Sequence, residues 1–190
     1  MWKGVGLRGA AKMIYQMHIR LLETKPPIWR RIQVSGNIKL YRLAMLILRA
    51  MGWDNSHLCE FEIDGKKYGY KESDEYDDGV LEFKNFVVSK VLTDKIKKFE
   101  FVYDFGDDWR HEIIVEDILP EVAGVKYPFC VDGERACPPD DIGGVYGFYE
   151  YLEILSDPSH EEYENMLSWS GEFDPEKFDK SEATKMMQKK

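Results

Sequence analysis

The sequence predicts an α+β fold, and three observations carry the prediction. Several short segments alternate apolar with polar residues, which is typical of strands that bury one face. One stretch between them repeats its apolar residues at helical spacing. The order is two strands, a helix, two strands, a hairpin and then helices, and this segregation favours α+β. We expect the first five elements to form a β-grasp-like (ubiquitin-like) core.

The first two strands are predicted to form a hairpin. Apolar and polar side chains alternate from Ile14 to Leu21, and residues 28–34 are predicted as the second strand. Between them, Lys25-Pro26-Pro27 forces a turn. Gly36-Asn37 ends the hairpin, and the asparagine is the predicted N-cap of the helix that follows.

A largely buried helix is predicted between Leu40 and Met51. Its apolar residues cover most sides and leave only Arg42 and Arg49 as polar positions within it. Gly52 follows directly, and glycine is the residue that most often ends a helix.

Two short strands are predicted after this helix. Residues 59–63 alternate again, Asp64-Gly65 is a turn signal, and residues 67–70 return as a short strand. An acidic loop follows over residues 71–79. Residues 81–91 are predicted as either a strand or an edge segment.

The clearest element is a hairpin over residues 99–116, whose aromatic and aliphatic side chains share one face. A three-residue loop, Gly106-Asp107-Asp108, would pair Phe105 with Trp109. A two-residue loop would instead place acidic side chains among the aromatic ones. Because register is set by burying one face, the three-residue loop is the predicted one.

The rest of the chain is predicted as a loop and helical annex. Residues 127–144 are rich in Pro, Gly and Cys, and residues 146–155 form a helix. Asp157-Pro158 combines a cap with proline and starts a helix that runs to about Trp169. We expect a flexible extension at 1–12, a single domain at 13–180 whose annex is 126–180, and a frayed tail at 181–190.

Composition excludes a disordered chain and a membrane-spanning one. The 44% of hydrophobic and 14% of aromatic residues are enough to offset the entropy of ordering. The longest apolar run, residues 43–48, is far shorter than the roughly 20 residues that cross a bilayer. No secretory signal is recognisable, and three cysteines are too few for a disulfide scaffold, so we expect a cytoplasmic protein.

Charge is unevenly distributed along the chain, whose net charge is −9. Residues 1–58 hold ten basic and two acidic residues, so their net charge is +8, and the remainder carries −17. The basic part predicts either a surface for nucleic-acid phosphates or internal neutralisation of the acidic part. The arginines that would contact phosphates are Arg20, Arg30, Arg31, Arg42 and Arg49.

His111 is the first candidate for chemistry. It is predicted to point into the aromatic face of the hairpin, with Asp104 and Asp107 a few residues away. A carboxylate with an imidazole is the minimum for general-base catalysis or for metal binding. The alternative is a buried histidine that only satisfies a hydrogen bond, beside aspartates that favour a turn.

Cys130 and Cys137 are the second candidate. Six residues separate them, whereas the ligand pairs of structural zinc sites are usually two to four residues apart. A zinc site would require His111, His57 or His160 to come close to them in space. The alternatives are buried thiols that pack as small apolar groups, or a disulfide that staples the loop.

An ordered set of motifs resembles the plasmid pRiA4b ORF-3-like family over roughly residues 13 to 180. In chain order the motifs are Pro26-Pro27-Ile28-Trp29-Arg30-Arg31-Ile32; Ala50-Met51-Gly52-Trp53 with His57-Leu58 and Phe61; Tyr103-Asp104-Phe105-Gly106-Asp107-Asp108-Trp109 with His111; Cys130 and Cys137-Pro138-Pro139-Asp140-Asp141 with Gly143-Gly144; Asp157-Pro158 and His160; and Trp169 with Phe173-Asp174-Pro175.

This resemblance implies a compact α+β domain and, in some relatives, an association with plasmids or transposable elements. It supplies no catalytic residues. It does imply where a site shared by the family would lie, namely at His57, Asp104, Asp107, Trp109, His111, Cys130, Cys137, Asp140, Asp141 and His160.

Three functions are open at this point. The first is a non-catalytic binding or interaction module, whose ligand surface lies where the 99–116 hairpin meets the 130–144 loop. The second is a metal-dependent hydrolase or nuclease-like enzyme that uses His111 with Asp104 or Asp107, joined by His57 or Cys137. The third is a nucleic-acid-binding accessory protein that uses the basic residues 20–49. A protein or a nucleic acid is the partner that these hypotheses imply.

Overall fold

The computed structural model describes residues 12–71 and 79–189, which are organised around one mixed sheet. Most of the predicted extension (1–12) and of the predicted acidic loop (71–79) lies outside these residues. The strands are β1 (Met13–Leu21), β2 (Ile28–Ser35), β3 (Cys59–Ile63), β4 (Lys66–Gly69), β5 (Val80–Glu82), β6 (Lys98–Tyr103), β7 (Trp109–Pro120) and β8 (Phe129–Glu134). The α-helices are α1 (Leu40–Met51), α2 (Val88–Val91), α3 (Gly144–Ser156), α4 (Tyr163–Ser170) and α5 (Lys180–Gln188).

The strand order across the sheet is β5-β4-β3-β6-β7-β1-β2-β8. Every neighbouring pair is antiparallel except β4 and β5. The α+β class is therefore confirmed. The β-grasp arrangement is not confirmed, because the β6–β7 hairpin lies between the β1–β2 and β3–β4 pairs. β1 thus pairs with β7 rather than with β3 or β4.

Helix α1 covers the predicted apolar stripe and ends at the predicted glycine. Gly52 adopts φ +133° and its amide donates to the Leu48 carbonyl at 2.8 Å. The predicted N-cap, Asn37, is wrong, because the helix begins after Lys39, whose side chain makes no capping bond. A tertiary contact replaces it: the Leu40 amide donates to the Phe86 carbonyl at 2.9 Å.

The predicted hairpin register is wrong by two residues. Tyr103, not Phe105, lies opposite Trp109, so the loop comprises the five residues 104–108. Phe105 sits in that loop with 56% of its surface exposed, while Tyr103 and Trp109 are fully buried. A shift by two leaves the same face inward, so the criterion of a buried face cannot distinguish the two registers.

The C-terminal tail is helical and packed, not frayed as predicted. Helix α5 begins at a real cap, since the Asp179 carboxylate accepts hydrogen bonds from the amides of Ser181 and Glu182 at 2.7 and 3.0 Å. It packs against β8 and α1, and this burial leaves Met187 with no exposed surface. Strand β8, in turn, occupies part of the segment that was predicted as loop.

The remaining helices differ from the prediction mainly at the start of α4. α3 covers the predicted 146–155 helix, and α4 ends at Ser170, close to the predicted Trp169. Asp157 does not start α4, because its carboxylate instead accepts the Ser159 amide in a separate turn, and α4 begins at Tyr163. None of the helices in the described part of the chain combines the length and apolar character that a bilayer span requires.

Candidate functional site

Three loops meet at one end of the sheet, where β3 begins, β6 ends and β7 begins. They are residues 53–58, 104–108 and 136–143, and we call their junction the three-loop site. Hydrogen bonds join the loops in pairs: Asp104 amide to Leu58 carbonyl at 2.9 Å, Trp53 Nε1 to Pro138 carbonyl at 3.0 Å, and Gly143 amide to Asp107 Oδ2 at 3.2 Å.

One imidazole and two carboxylates converge in this site, one from each loop. His57 Nε2 lies 3.2 Å from Asp141 Oδ1 and 3.6 Å from Asp104 Oδ2. Their potential ligand atoms all lie within 4.8 Å of one another. The Asp104 residue is buried, whereas 71% of the Asp141 side chain is exposed, so the group opens to solvent on one side. This is a donor set that a divalent cation can bridge.

Buried polar atoms without partners surround the same group. The Tyr103 hydroxyl and Asp140 Oδ1 are each buried and lack a hydrogen-bond partner among the described residues. His57 Nε2 faces the two carboxylates of the group but makes no hydrogen bond with either of them. Tyr103 is fully buried, and its ring meets the His57 imidazole edge-on at 5.8 Å between centroids. Because buried polar groups are normally paired, this concentration of unpaired ones is unusual.

Asp140 and Tyr103 are electrostatically coupled beside the cluster. Burial raises the pKa of the Asp140 carboxyl, and the negative charges of Asp54 and Asp141 raise it further. Burial also raises the pKa of the Tyr103 phenol, with Asp140 adding to the effect. The hydroxyl lies next to the carboxyl without the geometry of a hydrogen bond. Tyr103 was absent from the predicted site, and only its position before Asp104 hinted at it.

Trp109 and His111 lie beneath the site and form its floor. Both are fully buried, and Trp53 packs against them at centroid distances of 5.7 and 5.5 Å. The Phe101 carbonyl can only accept, so His111 Nδ1 carries the proton of their 3.2 Å hydrogen bond. Burial lowers the pKa of His111 to about 4. A neutral side chain with no solvent access is a packing residue, so the predicted general base at His111 is wrong.

The buried imidazole makes stability depend on pH. His111 takes up a proton near pH 4 in the folded chain and near pH 6.5 when unfolded, so between these values the unfolded state binds more protons. Lowering the pH from 7 to 5 should therefore lower the free energy of unfolding by about 2 kcal/mol. Urea titrations at the two pH values measure it.

The matched variant is His111→Asn, which keeps a donor near the Nδ1 position but cannot titrate. Its absolute stability will be lower, but its loss of stability between pH 7 and pH 5 should be smaller than that of the parent chain by that same amount. An equal loss in both proteins would show that other groups carry the pH dependence.

Asp107 acts as a tether between two loops. Its carboxylate accepts the amide of Gly143, the residue that precedes α3. A carboxylate at a helix N-terminus is favourable because the helix dipole is positive there. Asp107 is thus in the three-loop site, as predicted, but its observed hydrogen bond is structural.

Cys130, Cys137 and His111 do not form the predicted zinc site. Among the described residues, the only trio of His, Cys, Asp or Glu side chains that could share an ion is His57, Asp104 and Asp141. All three cysteines are free. Burial raises the pKa of Cys130 to about 11 and raises that of Cys137 as well, which is typical of thiols that pack as apolar groups.

His160 is not brought into the site. It is exposed in the turn that precedes α4, where its Nδ1 accepts the Glu162 amide at 3.1 Å. This local bond within its own turn explains its position.

The five arginines predicted to bind phosphates are engaged within the protein. Arg20 pairs with Glu112 at 3.0 Å and Arg31 with Glu116 at 2.7 Å, both on β7. Arg30 is buried. Arg42 and Arg49 donate to backbone carbonyls in and just after α5. Two of the five arginines therefore pair with acidic residues of β7, and the other three are held by backbone carbonyls.

Together, the fold and the site define a mixed α+β protein with an eight-stranded sheet and a three-loop site at one end. The chain belongs to the plasmid pRiA4b ORF-3-like family, whose model matches residues 13–182. It is 36% identical over 162 residues to the uncharacterized protein y4hQ of Sinorhizobium fredii, covering 85% of this chain and 82% of that protein.

A solved structure shares the fold. The crystal structure of the protein of unknown function MM3350 from Methanosarcina mazei Go1 aligns with a TM-score of 0.82 and 38% identity. The alignment covers 90% of this chain and 98% of that one. The family expected from the motifs is therefore confirmed, and neither name assigns a reaction.

Proposed function

We propose that the protein is a binding module that takes a divalent cation on His57, Asp104 and Asp141. The observation that carries this proposal is the convergence of three ligand atoms, one from each loop, beside buried polar atoms without partners. Because the ligands come from three loops, a bound ion would crosslink them. The cation would then order the surface between the β6–β7 hairpin and the 136–143 loop.

The donor set favours a borderline cation. Imidazole is suited to Zn²⁺, Fe²⁺ and Ni²⁺, and carboxylates are also suited to Mn²⁺ and Mg²⁺. The absence of a thiolate from the group separates it from structural zinc sites, which use two to four cysteines. We therefore expect Zn²⁺ or Mn²⁺ to bind more tightly than Mg²⁺.

Calorimetric titration of the metal-stripped full chain with Zn²⁺, Mn²⁺ and Mg²⁺ tests the proposal. We expect one equivalent of Zn²⁺ or Mn²⁺ to bind, and Asp141→Asn to weaken binding at least tenfold. Asp141 is the best position to change, because its side chain is 71% exposed.

The matched control is Asp108→Asn, which removes an exposed carboxylate of the 104–108 loop that pairs with Arg110. This variant should bind metal as the parent chain does. If the parent chain takes up no ion, or if the two variants bind alike, the cation site is wrong.

A metal-dependent hydrolase is the second candidate, and one observation favours it. Three protein ligands leave coordination positions open, as in catalytic zinc sites, and the exposed Asp141 places the group at the surface. Turnover of bis(p-nitrophenyl) phosphate by the metal-loaded chain, lost in Asp141→Asn, would support it. Binding without turnover would leave the first candidate.

The cellular setting is also a proposal. A link with mobile genetic elements is supported by the plasmid in the family's name. A cytoplasmic location is supported by the three free cysteines.

A further inference from the structure

A cavity of about 410 Å³ adjoins the three-loop site and shares its 136–140 segment. Its volume is in the range of small-molecule pockets. The apolar part of the wall is formed by Trp53, Phe173, Phe178 and Met186. The end of α1 and the start of α5 complete the wall, so the cavity is built from elements that the fold holds in place.

Arg30 lies in the wall of this cavity with only 2% of its surface exposed. Its guanidinium donates to the carbonyls of Ala50, Trp29, Glu134 and Met51, at 2.8, 2.8, 2.8 and 3.2 Å. A guanidinium has five N–H groups, so these four hydrogen bonds leave one N–H group unused. The four carbonyl oxygens carry only partial negative charges, so they stabilise the positive charge of the guanidinium without neutralising it.

Two further cations line the same cavity, Arg49 and Lys177. Among the described residues, no carboxylate oxygen lies within 4.0 Å of the side-chain nitrogens of Arg30, Arg49 or Lys177. By contrast, four other arginines form ion pairs; they are Arg20, Arg31, Arg110 and Arg135.

The wall also carries three acidic residues, equal in number to the cations, and two of them are engaged elsewhere. The Asp179 carboxylate is held by two amides at the start of α5. Asp140 faces Tyr103 and the His57 group. Only Glu182 is left on the wall without such an engagement.

We propose that this cavity binds a small molecule that carries an anionic group on an apolar body. Arg49 and Lys177 contact the anion, Arg30 supplies the buried positive charge behind them, and the aromatic wall packs against the apolar body. The proposal goes beyond the cation site and does not depend on it.

Two fluorescent probes of matching shape test this ligand class. One is 8-anilinonaphthalene-1-sulfonate, which is anionic, and the other is N-phenyl-1-naphthylamine, which has the same aromatic body without the sulfonate. Titration of the full chain in EDTA should show saturable binding of the sulfonate at one site. The neutral probe should bind at least tenfold more weakly.

Variants then locate the bound probe. Arg49→Met and Lys177→Met should each weaken binding of the sulfonate at least threefold. Lys185→Met removes an exposed lysine of α5 that does not line the cavity, so it should bind the probe as the parent chain does. Ala136→Phe, which places a ring in the cavity, should abolish binding, and circular dichroism checks its fold.

Equal affinity for the two probes would overturn the anionic ligand class. Binding that survives in a folded Ala136→Phe would overturn the cavity as its location. If that variant does not fold, the comparison of Lys177→Met with Lys185→Met decides, and equal weakening contradicts the proposal. Asp141→Asn should keep full probe binding, so failure of the cation site is distinguishable from failure of this one.

Discussion

Replacing Arg30 by methionine is expected to lower the free energy of unfolding by about 4 kcal/mol. The guanidinium joins three elements, because its acceptors lie on β2, at the end of α1 and on β8. It also lies 4.3 Å from the centre of the Phe178 ring. Methionine fills much of the volume but leaves buried carbonyls without donors, and each of these costs about 1–3 kcal/mol before relaxation.

Arg31→Met is the matched control, since Arg31 is the next residue on the same strand and faces the other side of the sheet. Its ion pair with Glu116 at 2.7 Å is partly exposed, so we expect a loss of about 1 kcal/mol. Urea denaturation of both variants measures the difference. Equal losses would contradict the claim that Arg30 holds the three elements together.

Gly144→Ala is expected to lower the free energy of unfolding by about 3 kcal/mol and to displace the start of α3. The residue has φ +69°, which disfavours any side chain. A Cβ there would also lie 2.4 Å from the Asp107 carbonyl oxygen, a backbone atom that cannot rotate away. The close approach of α3 to the 104–108 loop therefore requires glycine at this position.

The control is Gly65→Ala, because Gly65 has the same φ of +69° but no atom within 4 Å of its Cβ position. That variant should lose only the conformational part, about 1 kcal/mol. Chemical denaturation separates the two effects. If both substitutions lower the free energy of unfolding equally, the close contact between α3 and the 104–108 loop adds nothing to the cost of a side chain at Gly144.

Much of the fold could be predicted because local patterns report local structure. The alternation from Ile14 to Leu21 identified β1, and the helical spacing with its terminal glycine identified α1. The tail was misjudged because α5 exposes a polar surface and buries only Ala183 and Met187. Two buried residues give no clear periodicity in the sequence. The surface on which α5 packs is supplied by β8 and α1.

The sequence predicted which residues would lie at the site, but it did not predict which of them would lie next to one another. His57, Asp104 and Asp141 were each expected at a site shared by the family. The metal ligands considered from the sequence were His111, Cys130 and Cys137, or His111 with an aspartate, and no combination included Asp141. A histidine that faces an aromatic cluster and cysteines that sit in a loop have the right chemistry for zinc. Only the distances show which side chains share a centre.

The sequence by itself determined most of the strands and helices before residue 71, the buried face of the 99–116 hairpin, and the family to which the chain belongs, but it did not identify α2, β8 or α5. The tertiary structure alone decided the strand order, the hairpin register and the grouping of His57, Asp104 and Asp141. Periodicity records that a face is buried, but it is unchanged by a register shift of two and does not identify the neighbouring strand. The three ligands come from loops far apart in the chain, so their proximity results from the packing of β3, β6 and the 136–143 loop.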